Sequence, residues 1–227
     1  MKKSRGATAI VAGATGLVGR ELVKMLLNHP AYNRVVVLVR REIGLSHPKL
    51  EERHIVFDRM EKEVEGELFK DADVFCSLGT TIKQAGSQEA FRRVDHDYPL
   101  SLGQIARQNG AARFIIVSAM GSSERSRMFY NRVKGETERD LALLGLSRLV
   151  VLKPSLMFGD RTENRPGERV AIVIFRMFGA LMIGPLARYK AIESRKVAQA
   201  MILAARREGP SLEVLDSEEI CALAATV

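Results

Sequence analysis

Tyr130 and Lys134 stand four residues apart in "MFYNRVKGETERDL", a helix-compatible segment that begins at Met128. Side chains at that interval share one helix face, so a phenol and an ammonium converge on one small volume. A free tyrosine titrates near pH 10 and is a poor proton shuttle at neutrality. A neighbouring ammonium favours the phenolate. The phenol can then give a proton to a carbonyl oxygen as hydride reaches carbon, or remove one in reverse. Ser118 lies twelve residues before Tyr130, and its hydroxyl is expected to orient that oxygen. In "SAMGSS", Ser122 or Ser123 takes this role instead if the loop folds inward.

A second chemical signal lies near the amino terminus. "AGATGLVGR" follows an apolar run and places Gly13, Gly16 and Gly19 three residues apart. In a strand–turn–helix context, Gly13 permits the tight turn, Gly16 the close approach of a pyrophosphate, and Gly19 close helix–strand packing. The backbone of Thr15, Leu17 and Val18 then turns its N–H groups and the helix dipole toward phosphate. Beyond the second apolar run stand Arg40 and Arg41, where an acidic residue ordinarily holds a ribose 2′-hydroxyl. Guanidinium groups suit a 2′-phosphate, so NADP(H) is expected over NAD(H), with Arg20 as a further cation. Asp58 is placed to accept from the adenine amino group. "SLGT" supplies Ser77, Leu78, Gly79 and Thr80, small enough in part for a ligand to lie along a strand end.

These residues need a scaffold that brings them to one edge. Val- and Ile-rich runs at 7–13, 34–41, 54–58, 72–79, 112–119 and 147–154 read as buried strands. Helical patterns fall between them at 16–30, 61–70, 86–109 and 127–144. Such alternation predicts an α/β, doubly wound Rossmann-type parallel sheet covered on both faces. Its carboxyl edge is where ligands bind. Residues 1–155 are expected to form the Rossmann core. Residues 156–227, with a helix at 192–207 and a strand at 210–216, are expected to form a small substrate-side lobe integrated with it.

At 227 residues, 46% hydrophobic and 27% charged, the protein is long enough for a full core and is not of disordered composition. The net charge of +8 comes without a long basic run or interleaved aromatics, so an anion pocket is expected and a nucleic-acid partner is not. His29, His47, His54 and His96 show no metal spacing and read as surface or capping residues; no metal is expected. The apolar stretch at 170–187 contains Arg176, which costs about 2.5–3.5 kcal/mol at a membrane centre. It reads as a buried helix and turn, with a membrane-surface or self-association contact as the alternative. Cys76 and Cys221 lie far apart, and the start "MKKSRGATAIVAGATG" lacks the apolar core of a secretory signal, so a cytoplasmic protein is expected.

Taken together, Gly13, Gly16 and Gly19 with Ser118, Tyr130 and Lys134 resemble the short-chain dehydrogenase/reductases of the atypical or extended type. "CSLGTT", "FRRVDHDYPL", "FYNRVKGETE" and "DRTENRPGE" are similar to segments of the Tat-interacting-protein group and its bacterial relatives. That resemblance implies an NADPH-binding Rossmann fold with Ser118, Tyr130 and Lys134 as the catalytic set. It also implies that "KPSLMFG" lies beside the nicotinamide through Pro154 and Ser155. One departure is Asp95, where many members carry an asparagine that organises a relay water. The leading expectation is a reductase of a small carbonyl compound. The alternatives are an NADPH-sensing regulatory binding protein and, with less support, a nucleotide-sugar epimerase.

Overall fold

The structure is a computed structural model and describes residues 7–159 and 190–226. Residues 9–12 are shielded completely on both faces, an environment found in the middle strand of a covered sheet. Their side chains alternate: Ala9 and Val11 enter one apolar cluster, and Ile10 and Ala12 enter the other. The sheet is therefore the partition between two cores.

The strands are β1 (Ala7–Ala12), β2 (Tyr32–Val39), β3 (Leu50–His54), β4 (Asp73–Cys76), β5 (Arg113–Val117) and β6 (Leu149–Lys153). A short pair, β7 (Met157–Phe158) with β8 (Ile192–Glu193), stands apart from the main sheet. The last strand is β9 (Leu212–Asp216). Seven strands run parallel in the order β3-β2-β1-β4-β5-β6-β9. The direction of winding reverses between β1 and β4, which opens a crevice at their carboxyl ends.

One layer is built on α1 (Leu17–Asn28), whose Leu22, Val23 and Leu26 are buried against β1 and β2. The opposite layer holds two single turns, α2 (Met60–Glu63) and α3 (Ile82–Ala85), then α4 (Gln88–Arg92), α5 (Tyr98–Gln108) and α6 (Phe129–Leu143). One π-helical turn, Arg93–Asp97, joins α4 to α5. The last two helices are α7 (Ser194–Arg206) and α8 (Ser217–Ala224). An Asp216 capping box starts α8, with Asp216 accepting from Glu218 and Glu219 N–H and Glu219 reaching back to the Asp216 N–H.

Two expectations are corrected. The third strand is Leu50–His54 and not 54–58. Its polar run suits a sheet edge, where Arg34 of β2 bonds Glu51 at 2.9 Å and no continuous apolar run is required. The expected helix at 61–70 is only α2 and a 3-10 turn, Gly66–Phe69, separated by extended backbone at Val64 and Glu65. Within residues 156–227, the helix expected at 192–207 is α7 and the strand expected at 210–216 is β9. β9 pairs with β6, and Val197 and Met201 of α7 share a cluster with Leu22 and Leu26 of α1. The stretch at 170–187 and the segment "DRTENRPGE" lie outside the described residues.

Candidate functional site

The glycine turn connects β1 to α1 at the reversal point. Gly13 adopts φ +91°, and a Cβ there would lie 2.6 Å from both the carbonyl carbon and the carbonyl oxygen of Ser77. At Gly19 a Cβ would overlap the Gly13 carbonyl, so only glycine lets the helix approach the strand this closely. Gly16 occupies the N-cap position and donates to Gly13 O at 3.0 Å. Gly16 brings no capping side chain to α1 and no acidic residue stands in its first turn, so the N–H groups there are suited to an anion. Thr15 is exposed, Leu17 and Arg20 are half-buried, and Val18 is a core residue whose share in such a site is its backbone. The bare cradle and this helix N-terminus fit a dinucleotide pyrophosphate.

Ser77 fastens β4 to this turn, its Oγ lying 3.1 Å from Ala12 O and 3.2 Å from Gly13 O. Leu78 is half-buried and Gly79 exposed along the strand end. Arg40 and Arg41 are both exposed immediately past β2, and neither forms an ion pair among the described residues. Asp58 accepts the Tyr98 hydroxyl at 2.9 Å, and Arg93 Nε lies 4.0 Å away. Burial and then the Asp58 bond push the Tyr98 phenol up, against the opposing charges of Arg93 and Arg40. Asp58, Tyr98, Arg93 and Arg40 are thus one electrostatic group at the ends of β2 and β3.

At the other end of the crevice, Tyr130, Lys134 and Glu138 recur every four residues along α6. Tyr130 is half-buried, with its ring 5.6 Å from the buried ring of Phe91. Lys134 is buried, and its Nζ sits 2.8 Å from Asp95 Oδ1. Burial is the largest influence on this ammonium and opposes it. The charges of Asp95 and then Tyr130 together outweigh burial and raise its pKa. Asp95 Oδ2 accepts the Thr80 N–H at 2.8 Å, and its backbone oxygen accepts Thr137 Oγ1 at 3.0 Å. The π turn directs Asp95 inward; such turns are frequent at functional sites.

Ser118 and Ser122 both donate to Glu138 Oε1. Lys153 Nζ reaches Glu138 Oε2 at 3.1 Å and Ser122 O at 3.0 Å. Ser123 is exposed and contributes its N–H to Asn131 O at 3.0 Å. A hydroxyl has a single proton. The proton of Ser118 is therefore engaged by Glu138, which leaves its oxygen available as an acceptor. Gly135 permits this packing, since a Cβ there would overlap the backbone at Ser123 and Glu124. Pro154 is buried, with its carbonyl accepting Met120 N–H at 2.9 Å. Ser155 is tied to Ser217 of α8, N–H to Oγ at 3.1 Å, and donates to Lys190 O.

Sequence reasoning overlooked Glu138 and Lys153. Glu138 had a signal, one further helical turn beyond Lys134. The reading of His96 as a surface or capping residue is corrected. It is buried, with Nδ1 2.7 Å from Asp97 Oδ1 and Nε2 2.9 Å from Asp140 Oδ2, and so it links the π turn to α6. The hydrogen bond from Arg139 leads in drawing the Asp140 carboxyl below its ordinary range, and His96 adds to it.

A family model described as NAD(P)H-binding matches residues 13–143, which span the glycine turn, Asp95 and the Tyr130–Lys134 face. The chain belongs to this NAD(P)H-binding family. Among similar proteins, Protein FMP52, mitochondrial, of Eremothecium gossypii is 33% identical over 95% of this chain and 96% of its own length. Protein HTATIP2 of Rattus norvegicus is 32% identical over 79% of this chain and 73% of its own, which bears out the likeness to the Tat-interacting-protein group. The expectation of a cytoplasmic protein is overturned by these relatives, since those from Eremothecium gossypii, Emericella nidulans and Candida albicans are all named mitochondrial. Solved structures share the fold. UDP-glucose 4-epimerase of Thermotoga maritima, with UDP-glucose, gives a TM-score of 0.68 at 18% identity, over 92% of this chain and 76% of its own. MoeE5, in complex with UDP-glucose and NAD, gives 0.67 at 16%, over 96% and 81%. Among the described residues, no helix is long and apolar enough to cross a membrane.

Proposed function

We propose that this NAD(P)H-binding protein is an NADPH-dependent short-chain dehydrogenase/reductase that reduces a small carbonyl compound. The observation carrying this reading is the placement of Tyr130 one helical turn from a buried, anchored Lys134 in the crevice that holds the glycine turn. The N–H groups of Gly13, Thr15, Leu17, Val18 and Gly19 would hold the pyrophosphate, with Gly16 letting it approach the backbone closely, and Arg40 and Arg41 would hold a 2′-phosphate, with Arg20 adding charge. Asp58 would receive the adenine amino group. Ser77, Leu78, Gly79 and Thr80 would line one wall, and Pro154 and Ser155 the nicotinamide end. When bound, the reduced dinucleotide supplies a hydride.

The protein's own work is proton delivery and alignment. Tyr130 gives the phenolic proton to the carbonyl oxygen. Lys134 holds the phenol's charge in check and offers its N–H groups to ribose hydroxyls. Ser118 would orient the carbonyl oxygen once its hydroxyl turns from Glu138 to donate to it. The likeness to epimerases is one of fold, and fold alone does not carry a substrate.

The test is NADPH oxidation against a panel of aldehydes and ketones, with wild-type protein and Tyr130→Phe. Loss of a general acid lowers kcat by roughly a hundredfold or more. Equal rates for the two proteins, or no turnover anywhere in the panel, would remove the reductase reading.

A further inference from the structure

Asp95 has no counterpart in the reaction just described, yet it is among the most firmly held side chains in the crevice. Thr80 N–H bonds its Oδ2 at 2.8 Å, Thr137 bonds its backbone oxygen, and Lys134 Nζ faces Oδ1 at 2.8 Å. The pair lies under a bare piece of backbone. A Cβ at Gly79 would stand 3.4 Å from Asp95 Oδ1 and 3.8 Å from Lys134 Nζ, while Gly79 itself is exposed. Two residues earlier, Ser77 Oγ is bonded to the glycine turn. The buried pair and the phosphate cradle therefore open on one crevice. Charges held in such low-dielectric surroundings are weakly screened, so any imbalance within the pair is felt by whatever occupies it.

The oxidised nicotinamide ring is a cation, and the reduced ring is neutral. An unpaired Lys134 ammonium would repel the first and spare the second; an unpaired Asp95 carboxylate would do the reverse. We infer that Asp95 is a positioning residue that cancels the charge of Lys134 toward the nicotinamide pocket and so sets the relative affinity for oxidised and reduced dinucleotide. The inference rests on the proposed cofactor site. An asparagine at this position would hold Lys134 by a hydrogen bond but leave its charge uncompensated. The aspartate thus makes the site even-handed between the two redox forms, so product dinucleotide is not expelled by the lysine that helps to align it.

The experiment measures dissociation constants of NADP+ and NADPH by titration calorimetry on the full-length protein. The proteins are wild type, Asp95→Asn, Lys134→Met and the double variant. The expected result for Asp95→Asn is a roughly tenfold weakening of NADP+ relative to NADPH, the scale for a unit charge acting across a partly screened pocket. Lys134→Met should shift the ratio in the opposite direction, and the double variant should return it to within about twofold of wild type. If Asp95→Asn does not fold, Lys134→Met and the double variant still isolate the carboxylate, whose removal must weaken NADP+ selectively. An unchanged ratio, or equal weakening of both forms, overturns the inference and leaves the reductase reading standing. Failure of the wild type to bind either dinucleotide overturns both.

Discussion

Replacing Gly19 by alanine tests the packing that creates the nucleotide cradle. The new methyl would stand 2.8 Å from the Gly13 carbonyl carbon and 2.8 Å from Ser77 Oγ, with the Gly13 oxygen nearer still. Ordinary contacts between carbon atoms begin near 3.5 Å, so the turn must retreat by at least about 0.7 Å. Its retreat is resisted because Gly13 O already accepts Gly16 N–H at 3.0 Å and Ser77 Oγ at 3.2 Å. Overpacking of this kind costs about 1–3 kcal/mol, and a rigid backbone obstacle places it at the upper end. Alanine regains about 1 kcal/mol of helix propensity within α1. The net loss is about 2 kcal/mol, a fall in Tm of roughly 4–8 °C for a protein of this size. NADPH binding should be lost with it. Gly16→Ala provides the contrast, because its methyl would meet Gly13 O at 3.3 Å and needs a shift of only a few tenths of an ångström. That variant should unfold within about 1 kcal/mol of wild type. Urea denaturation followed by circular dichroism reads both. A Gly19→Ala protein with the wild-type midpoint, or a Gly16→Ala protein less stable than it, would refute the reasoning.

Other outcomes follow from the same geometry. Glu138→Ala removes the acceptor of Ser118, Ser122 and Lys153 and should cost roughly 1–3 kcal/mol in denaturant unfolding, with Glu138→Gln recovering part of it. Burial pushes the Cys76 thiol up to about 11, above its ordinary value near 9. The folded state therefore favours the protonated form, and this contribution is intact below pH 9 and lost as pH climbs from 9 to about 11, at roughly 1.4 kcal/mol per pH unit. The stability advantage of wild type over Cys76→Ala should narrow across that window; a constant difference would contradict the assignment. Changing Arg40 and Arg41 together to alanine should weaken NADPH by about tenfold or more and leave NADH nearly unchanged in fluorescence titrations. Equal weakening of both cofactors would dismiss the 2′-phosphate role.

Much of the core was legible because buried parallel strands demand runs such as "AIVA" and "VVVLV", which few other environments tolerate. The third strand misled for the same reason. "IVF" looks like a core strand, but Ile55 and Phe57 pack at the start of a turn, while the polar Leu50–His54 does the pairing at a sheet edge. Within the site, Tyr130 and Lys134 could be paired from spacing because both lie on one helix. The partners of Lys134 and Ser118 could not, because Asp95 sits 39 positions before the lysine and is directed inward by a π turn that leaves no sequence pattern. Glu138 was readable as a member of the α6 face, but its bonds to Ser118 and Ser122 depend on the loop after β5 lying flat on Gly135.

The helix that backs the nucleotide cradle, α1, is itself covered by α7, which begins 166 residues after α1 ends. During synthesis the first fold-competent segment, glycine turn included, leaves the ribosome with the outer face of its supporting helix unclothed. Loop-closure entropy for so distant a contact must be overcome before that helix is fixed in place. Residues 13–143 carry the recognisable family features, yet a nascent polypeptide halted there would lack both α7 and the edge strand β9. Competence to hold a dinucleotide is thus acquired late, and a premature stop before residue 194 leaves an exposed apolar helix for chaperones and proteases to find.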